Sequence, residues 1–375
     1  MLSKKMVDSL IVLGIESSCD DTAAAVVKVF HKNSQFLKAK INSSIIFNQN
    51  QIHNNFGGIV PELAARAHAE KLDLCVEKAL IDSNTTLNEI NIISVTSGPG
   101  LIGGLISGVV FAKGLSFSLK KPIIGVNHLV GHALTPRLTH STEYPYLMLI
   151  ASGGHCQFVI VKGPSAFTRL GGTIDDAPGE AFDKTAKIMG LGYPGGPVVE
   201  KRALKGDPNA FKLPSPLTKL ENCDMSFSGL KTALKREVDQ ITIAARALTE
   251  TDINNLCASF QNTVINIFTN KTKKAMVIFK NIYPDIRHTF AIAGGVAANK
   301  SIGSALSKIA KDFDFNLVVP DPKLCTDNAA MIASAGSEIF LKKEFFDSSL
   351  IPRPRWPLDQ HAVPMIGSGK KGRKV

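Results

Sequence analysis

Cysteine is scarce and scattered in this 375-residue chain, which rules out several classes of protein. The six cysteines form no C-x-x-C pair and no cluster at zinc-ribbon spacing. Isolated thiols exclude a disulfide framework and are typical of a reducing compartment. Uninterrupted apolar runs stay short of the roughly 18 residues that a membrane-spanning helix needs. The apolar residues 10–13 soon meet Glu16 and Asp20, so they predict a first β-strand and not a signal peptide. The sequence therefore predicts a soluble, cytoplasmic protein with no membrane contact.

The composition predicts a globular protein with a basic surface. Hydrophobic residues make up 44% of the chain and charged residues 20%, which excludes a disordered protein. The length suits two domains better than one. The net charge of +11 favours a polyanionic partner such as nucleic acid, although a solvated basic surface would give the same excess. Three basic groups are candidates for such contacts: Lys231, Lys235 and Arg236; Lys271, Lys273 and Lys274; and Lys370, Lys371, Arg373 and Lys374.

Two segments of the sequence repeat the same order of parts. Residues 10–30 and residues 146–162 each consist of an apolar strand, a small polar turn and a second apolar strand. Two such hairpins predict a duplicated architecture, with one hairpin opening each half. Their turns expose successive backbone N–H groups, which suits them to binding phosphate oxygens. The alternating helix and strand patterns elsewhere predict an α/β protein, including a long helix that Thr251 could cap.

A pair of histidines is the most informative short motif. His128 and His132 follow a predicted strand at helical spacing i and i+4, which would place both on one face, as a divalent metal requires. Leu129 stands where a zinc peptidase would have its glutamate base, so that activity is not predicted. Asp327, at a predicted loop-to-helix junction, offers a third ligand, unless it is an ordinary helix cap. Two histidines and one aspartate suit iron(II), and zinc accepts the same ligands.

Two further stretches have the composition of ligand loops. Residues 175–184 carry four carboxylates, which repel one another unless cations, ribose hydroxyls or backbone donors hold them. Residues 293–300 form a predicted strand, a Gly-Gly turn and the start of a helix, where backbone could approach a nucleotide and Asn299 could bind a base or ribose. This stretch lacks both the dinucleotide-binding and the Walker patterns.

Taken together, these motifs carry a resemblance to a known family. Eight of them occur in one order, at residues 14–22, 127–132, 152–155, 175–184, 193–197, 226–231, 294–299 and 325–328. With the closing residues 352–359, they resemble the bacterial tRNA N6-adenosine threonylcarbamoyltransferase family over nearly the whole chain. The resemblance implies the duplicated α/β fold of actin, Hsp70 and sugar kinases, with two lobes around a nucleotide cleft. It implies a first lobe over residues 9–135 with 325–345 packing back on it, a second lobe over 145–320, and an irregular basic tail over 351–375.

The resemblance also implies an acyltransferase activity. The threonylcarbamoyl group would pass from threonylcarbamoyl-AMP to N6 of the adenosine just 3′ of the anticodon, in tRNAs that read codons beginning with A. The product is t6A, and AMP leaves. Matching the family's motifs residue by residue gives metal ligands His128, His132 and Asp327, for one divalent ion per subunit, iron(II) or alternatively zinc. The matched adenylate-binding positions are Ile150, Ala151, Ser152, Gly153, Gly154, Asp183, Gly196, Glu200 and Asn299.

One position departs from part of that family. Relatives from other domains of life place a metal-ligating tyrosine where Ile150 stands, so the metal here is expected to have one protein ligand fewer. The resemblance further implies partners besides tRNA, namely a small ATPase and a catalytically silent relative of the same fold.

The catalytic base and two alternative functions stay open at this point. An exocyclic amine is a poor nucleophile, so a carboxylate that takes its proton would help, and Glu16, Asp20 and Asp21 in the first turn are the candidates. A small-molecule kinase or ATPase would share the fold without needing the histidine pair. A scaffold subunit of a tRNA-modifying complex would need none of the three metal ligands.

Overall fold

The structure is a computed structural model. It describes residues 7–53, 56, 58–243, 247–342, 350–363, 365–366 and 373–374, without the side chains of residues 50, 297, 365–366 and 373–374. Within these ranges the strands form two five-stranded sheets and one short strand pair. The two large sheets organise the molecule into two lobes.

The first sheet has strand order β3-β2-β1-β4-β5. Its strands are β1 (Asp8–Glu16), β2 (Asp21–Lys32), β3 (Gln35–Asn48), β4 (Ile92–Gly98) and β5 (Ile123–Asn127). The first three strands are antiparallel neighbours, whereas β4 pairs parallel with β1 and with β5. Strand β1 ends at Glu16, and β2 begins only after the polar turn at Asp21, so the predicted first hairpin is confirmed.

Helices cover both faces of this sheet. They are α1 (Asn50–His53), α2 (Pro61–Ser83), α3 (Ile102–Leu119), α4 (His128–His140) and, from much later in the chain, α11 (Ala329–Leu341). Successive residues of β1 point to opposite faces, with Val12 in the core under α4 and α11 and Leu13 in the core under α2 and α3. Both faces are therefore buried, which explains why β1 is a nearly continuous apolar run. A Cβ on Gly14 would lie 2.1 Å from the carbonyl oxygen of Ala329, so α11 needs a glycine there to approach β1.

The second sheet repeats the topology of the first. Its order, β8-β7-β6-β9-β10, again joins three antiparallel strands to two parallel ones. The strands are β6 (Tyr146–Ala151), β7 (Cys156–Gly163), β8 (Ala166–Gly172), β9 (Thr289–Ala293) and β10 (Asn316–Val318). Each strand corresponds in position and direction to one strand of the first sheet. The prediction of a duplicated α/β architecture with two lobes is confirmed.

The remaining helices belong to the second lobe. They are α5 (Pro178–Ile188), α6 (Gly195–Ala203), α7 (Ser228–Ile243), α8 (Glu250–Ile282), α9 (Lys300–Asp312) and α10 (Pro322–Cys325). The long helix α8 is capped by Thr249, whose hydroxyl accepts from the backbone N–H of Asp252 at 3.1 Å, while Asp252 bonds back to Thr249. The expectation of a cap at Thr251 was wrong. Thr249 begins a capping box, because the acidic residue three positions later returns its hydrogen bond.

Residues 350–359, here called the strap, join the two lobes without forming a helix or strand. The backbone N–H of Arg353 donates to the carbonyl of Ser97 at 2.6 Å, and the amide of Asn127 donates to the carbonyl of Trp356 at 3.0 Å. On the second lobe, the carboxylate of Asp359 accepts from the backbone of Arg169 at 2.9 Å. The expected irregular tail is thus held firmly over its first part.

Farther along, the expectation of an irregular tail was wrong in one detail. Residues 365–366 pair antiparallel with residues 373–374 as β11 (Met365–Ile366) and β12 (Arg373–Lys374). Lys370 and Lys371, like residues 343–345 of the expected return segment, lie outside the described residues.

Helix α3 corrects the expectation that no segment is apolar enough to cross a membrane. By length and composition it is the one helix in the described part of the chain that passes this test. Its small residues, however, pack within the first lobe: a Cβ on Gly104 or Gly108 would collide with Ser17, and one on Gly103 with Ala65. Because one face packs on the sheet and on α2, α3 is a helix of a folded lobe, as expected for a soluble protein.

Candidate active site

Three predicted metal ligands converge at the base of the cleft between the lobes. Helix α4 begins at His128, because the side chain of Asn127 caps it by accepting from the N–H of Leu129 at 2.9 Å. One turn later His132 lies on the same face. Their Nε2 atoms lie 3.4 Å and 3.2 Å from the same carboxylate oxygen of Asp327, which immediately precedes the Asn328 cap of α11.

These three side chains fit one divalent ion. Their ligand atoms all lie within 4.8 Å of one another. Atoms bound to a common ion at about 2.1 Å are roughly 3.0 to 3.4 Å apart, which the two histidine–aspartate distances match. Imidazole nitrogens and a carboxylate are also donors that iron(II) and zinc accept. The residues therefore meet the requirements for a single bound metal.

Charge is strongly coupled across this site. Although burial raises the pKa of Asp327, the adjacent His128 and His132 bring it well below its usual value. Burial lowers the pKa of His128, but the carboxylates of Asp327 and Glu16 raise it well above its usual value. The pocket thus stabilises positive charge between its carboxylates, which is the electrostatic environment that a cation requires.

The three candidate bases of the first turn occupy different environments. Glu16 is fully buried, and its carboxylate accepts from Thr96 Oγ1 at 2.6 Å, from the N–H of Ser18 at 2.6 Å and from His128 Nδ1 at 3.0 Å. Asp20 and Asp21 instead line the cleft. A base must reach the substrate, so the geometry disfavours Glu16 and leaves the two aspartates.

The electrostatics of the two aspartates distinguish them further. Burial, reinforced by the nearby charge of Asp20, raises the pKa of Asp21 to about 7. Burial also raises the pKa of Asp20. The Asp21 carboxylate is oriented by the side-chain amide of Asn48, which donates to it at 2.8 Å. A carboxylate with a pKa near neutrality is well matched to proton transfer at physiological pH.

The second-lobe turn contributes backbone more than side chains. Ser152 N–H donates to the carbonyl of His155 at 2.8 Å, and this closes the turn around Gly153 and Gly154. A Cβ on either glycine would meet nothing within 4 Å, and the same is true of Gly196 and Gly295. These glycines leave open space beside the backbone.

Ile150 and Ala151, by contrast, do not reach the cleft. Both are buried in β6, with 0% and 1% of their surface exposed, and Ile150 pairs with Gln157 of β7 and Ala293 of β9. Of the adenylate positions expected between 150 and 154, the structure brings only Ser152, Gly153 and Gly154 to the cleft surface.

Three other expected adenylate contacts are engaged with the protein itself. Asn299 caps α9 by accepting from Ile302 N–H at 3.0 Å and donates to Gln261 at 2.8 Å, and it is only 8% exposed. Glu200 accepts from the backbone N–H of Lys300 at 2.7 Å. Asp183, which lines the cleft, accepts from Gly195 N–H at 2.7 Å. These side chains hold the backbone that surrounds the cleft, and the contact of Asn299 with a base or ribose stays a prediction.

Hydrogen-bond donors stabilise the carboxylates of the acidic stretch 175–184. Backbone donors are one of the three stabilising groups that the sequence predicts for this stretch. Asp175 accepts from the hydroxyl of Ser226, from Phe227 N–H at 2.8 Å and from Ser228 N–H at 3.2 Å. Despite burial, which raises it, these hydrogen bonds lower the pKa of Asp175. Lys184 pairs with Asp176 and Glu180 at 2.8 and 2.7 Å. Asp175 thereby holds the start of α7. The sequence contains both motifs, residues 175–184 and 226–231, but does not predict that they are in contact.

One basic group that was expected to contact nucleic acid, Lys271, Lys273 and Lys274, has a buried member. Lys271 is 0% exposed, and its ammonium group donates to the carbonyls of Leu217, Leu220 and Asn222 at 2.6, 3.0 and 2.8 Å. Lys274 likewise donates to Thr218 at 3.0 Å. Lys271 and Lys274 thus fix the loop before α7, and a contact of buried Lys271 with nucleic acid is excluded. Lys273 is exposed, so its contact with nucleic acid stays a prediction.

The groups that reach the surface between the lobes line a cleft of about 1000 Å³. Its lining includes Asp20, Asp21, His128 and Asp327 on one side, and Ser152 to His155, Asp183, Tyr193 and Gly295 on the other. Tyr193 was missed as a candidate, although it lies in one of the recognised motifs. The site therefore combines a metal-binding side and a glycine-lined side.

Comparison with known proteins decides the family. A family model described as TsaD, tRNA N6-adenosine threonylcarbamoyltransferase, matches residues 40–334. The protein of that name from Ruegeria sp. (strain TM1040) is 53% identical over 370 residues, covering 99% of this chain and 100% of its own. The one from Jannaschia sp. (strain CCS1) is 54% identical over 367 residues, covering 98% of each. The chain belongs to the tRNA N6-adenosine threonylcarbamoyltransferase family.

Solved structures support the two-lobed fold of this family member. Full-length HypF, in a phosphate- and nucleotide-bound crystal structure, matches 90% of this chain and 56% of its own with a TM-score of 0.52 at 13% identity. HypF from T. kodakarensis gives a TM-score of 0.51 at 12% identity, over 89% of this chain and 48% of its own. At such low identity the likeness concerns the fold alone, which is the actin-like and sugar-kinase-like α/β architecture expected from the motifs.

Proposed function

We propose that this protein is an acyltransferase that moves the threonylcarbamoyl group from threonylcarbamoyl-AMP to N6 of the adenosine just 3′ of the anticodon. Its substrates are tRNAs that read codons beginning with A, and its products are t6A and AMP. One observation carries the proposal. In a chain of this family, a group of candidate metal ligands and a glycine-containing turn line the same cleft. His128 and Asp327, which lie together with His132, line that cleft on one side, and the turn at residues 152–154 lines it on the other.

The second lobe binds the adenylate in this proposal. Backbone N–H groups at the Gly153–Gly154 turn are donors for phosphate oxygens. The open space beside Gly295 admits a base or ribose to the backbone, since a Cβ there would meet no protein atom within 4 Å. Asp183, Glu200 and Asn299 support this surface by holding Gly195, Lys300 and Ile302. Positioning of an already activated donor supplies a large part of the catalysis.

The first lobe binds one divalent cation, for which we propose iron(II), with zinc as the alternative. His128, His132 and Asp327 would hold it. When bound, the ion supplies positive charge close to the carbonyl and phosphate of the donor. Ile150 is apolar and buried in β6, so its position provides no fourth ligand, and three side chains would hold the ion.

Asp21 is the base in this mechanism. The adenine amine attacks the carbamoyl carbon, the bond from that carbon to the phosphate oxygen breaks, and the proton from N6 passes to the Asp21 carboxylate. The AMP anion leaves with the bonding electrons. A pKa of about 7 makes Asp21 a better proton acceptor than an ordinary aspartate while leaving much of it ionised at neutral pH.

The outer face of α3 is the surface we propose for a partner of the same fold. Ile106, Val110 and Phe117 are 46%, 63% and 90% exposed, and their spacing places them in one stripe of the helix. An exposed apolar stripe of this kind marks a protein interface. A small ATPase is the second proposed partner, and the cytoplasm is the proposed compartment. Phe117→Ser should weaken the complex with the same-fold partner while leaving AMP affinity unchanged, as measured by calorimetry.

Nucleoside analysis tests the proposed function directly. The protein is incubated with unmodified tRNA, synthetic threonylcarbamoyl-AMP and the two partners, and the digested tRNA is examined by mass spectrometry for t6A. A matched tRNA without adenosine just 3′ of the anticodon is the control. Absence of t6A with all components present, or equal modification of the control tRNA, would contradict the proposal.

A further inference from the structure

The two histidines of the metal site differ in the surroundings of their other ring nitrogen. Nδ1 of His128 lies 3.0 Å from a carboxylate oxygen of Glu16 and 3.1 Å from the hydroxyl of Ser18. Nδ1 of His132 is buried and has no hydrogen-bond partner among the described residues. Only one of the two rings is therefore held by neighbours at the nitrogen that faces away from the site.

Glu16 is fixed so that it can act on His128 and on nothing in the cleft. Its Oε1 accepts from the backbone N–H of Ser18, and its Oε2 accepts from Thr96 Oγ1, both at 2.6 Å. Its side chain is 0% exposed. Donors from the first turn, from β4 and from α4 thus meet on one carboxylate, which leaves it no contact with a substrate.

The chemistry of the pair sets the tautomer of the ring. An ionised carboxylate can only accept hydrogen bonds, so the proton of a neutral His128 ring resides on Nδ1. The lone pair is then on Nε2, the atom that lies 3.4 Å from Asp327. A neutral imidazole with its lone pair facing the site is the form that binds a metal.

We propose that Glu16 is a positioning residue of the metal centre. It holds the Nδ1–H of His128 and thereby presents Nε2 to the ion shared with His132 and Asp327. The inference rests on the metal centre of the proposed function, and it assigns Glu16 a role other than the base that its place in the first turn suggested. Partners of this kind orient metal-bound histidines, and their loss typically lowers metal affinity about 10- to 100-fold.

Glu16→Gln tests the tautomer without changing the shape of the side chain. Because Ser18 N–H needs an acceptor at the Oε1 position, the glutamine would place its NH₂ group at the Oε2 position, facing His128 Nδ1. That group donates a hydrogen bond, so the ring proton would move to Nε2 and block the lone pair. We expect Co²⁺ and Zn²⁺ to bind about 10- to 100-fold more weakly in chelator competition, with a changed Co²⁺ absorption spectrum.

Thr96→Val is the matched control. It removes the other hydrogen bond to the same carboxylate oxygen but leaves His128 its acceptor, so metal affinity should stay within about threefold of the native value. Equal affinities of the native protein and Glu16→Gln would overturn the proposal while leaving the metal centre intact. A native protein that binds neither ion would instead refute the metal centre itself.

A measurement on the native protein covers the case in which Glu16→Gln does not fold. Histidine ¹⁵N spectra of the Zn²⁺-loaded protein distinguish a protonated Nδ1 from a protonated Nε2, and His128 is assigned by comparison with His128→Gln. We expect the Nδ1–H tautomer with Zn²⁺ on Nε2. Zn²⁺ bound through Nδ1 of His128 would contradict the role assigned to Glu16.

Discussion

The two equivalent turns of the duplicated fold differ in whether side chains occupy the space beside their backbone. In the first, residues 16–21, side chains occupy the space: Glu16 is buried, and its carboxylate links Thr96 to His128. In the second, residues 152–155, Gly153 and Gly154 have no side chain, and a Cβ on either would meet no atom within 4 Å. The same order of strand, turn and strand thus produces a turn packed with charge and a turn of open backbone.

This difference shows that the two lobes, although they share one topology, provide different groups to the cleft. The repeated sheet topology places both turns at corresponding ends of their sheets, facing one another. Side chains on the first lobe gather a set of charges that suits a cation and a proton acceptor. Backbone donors and empty space on the second lobe suit phosphate and ribose. Substitutions in the first lobe should therefore impair proton transfer or metal binding, whereas substitutions in the second lobe should impair nucleotide binding.

Removing the proposed base of the first turn should have the largest effect. We expect Asp21→Asn to lower kcat about 10²- to 10⁴-fold with AMP affinity unchanged, because only proton transfer is lost. In the native enzyme the rate should fall roughly tenfold per pH unit below the Asp21 pKa of about 7, as the base becomes protonated. Asp20→Asn is the control: the pH dependence should remain, but it should move to lower pH, because the charge of Asp20 contributes to the raised pKa of Asp21. A native profile in Asp21→Asn would remove Asp21 from the mechanism.

The same carboxyl has a thermodynamic signature that is independent of activity. Its pKa is raised in the folded state from 3.8 to about 7, so the folded protein binds the proton more tightly than the unfolded chain. Stability should accordingly decrease as pH rises from about 4 to about 7, and this loss should be smaller in Asp21→Asn. Thermal unfolding of both proteins between pH 5 and pH 8 measures the difference.

Removing a metal ligand should have the next largest effect. Asp327→Asn keeps the shape of the side chain but removes the charge that both histidines face at 3.2 and 3.4 Å. We expect Zn²⁺ affinity to fall by more than about 100-fold, which exceeds the loss expected for an orienting residue. Thr326→Ala, a neighbouring change without a ligand atom, should bind normally. Retention of stoichiometric metal by Asp327→Asn would show that the site lies elsewhere.

Filling the open backbone of the second lobe should have a smaller but specific effect. Gly295→Val places a branched side chain into space that no protein atom occupies, so the fold should tolerate it. We expect AMP affinity in calorimetry to fall by more than about tenfold, because the nucleotide loses its approach to the backbone. Gly114→Val on α3, also in open space, is the control for stability. Unchanged AMP binding would contradict the assignment of this loop.

The smallest effect concerns the surface charge of the second lobe. Lys231 lies on α7, whereas Lys271 of the other candidate group is buried. If Lys231 contacts a tRNA phosphate, Lys231→Ala should reduce the slope of log affinity against log salt by roughly 0.7 to 0.9. Lys40→Ala, on the exposed strand β3 of the first lobe, should leave the slope unchanged. Equal slopes for all three proteins would exclude Lys231 from the interface.

The sequence predicts the features that depend on local pattern. The hairpins and their repetition followed from apolar periodicity, and the shared face of His128 and His132 followed from helical spacing. It does not predict which polar groups the folded chain satisfies internally. Glu16 meets His128 across 112 positions, and Lys271 meets the carbonyl of Leu217 across 54, contacts that arise only from tertiary packing. For the same reason the sequence does not predict that the amide of Asn299 bonds to Gln261 and to the start of α9.

The return of α11 to the first lobe has a consequence for the order of events during synthesis. The ribosome completes all five strands of the first sheet, together with His128 and His132, before it begins the second lobe. Until α11 emerges, one face of that sheet is covered by α4 alone, and the histidines lack Asp327. A nascent chain that ends at residue 320 should therefore expose apolar surface and fail to retain Co²⁺, even with the second sheet complete. Binding of the proposed metal would then have to follow translation of the second lobe, so that only a complete chain would hold the ion.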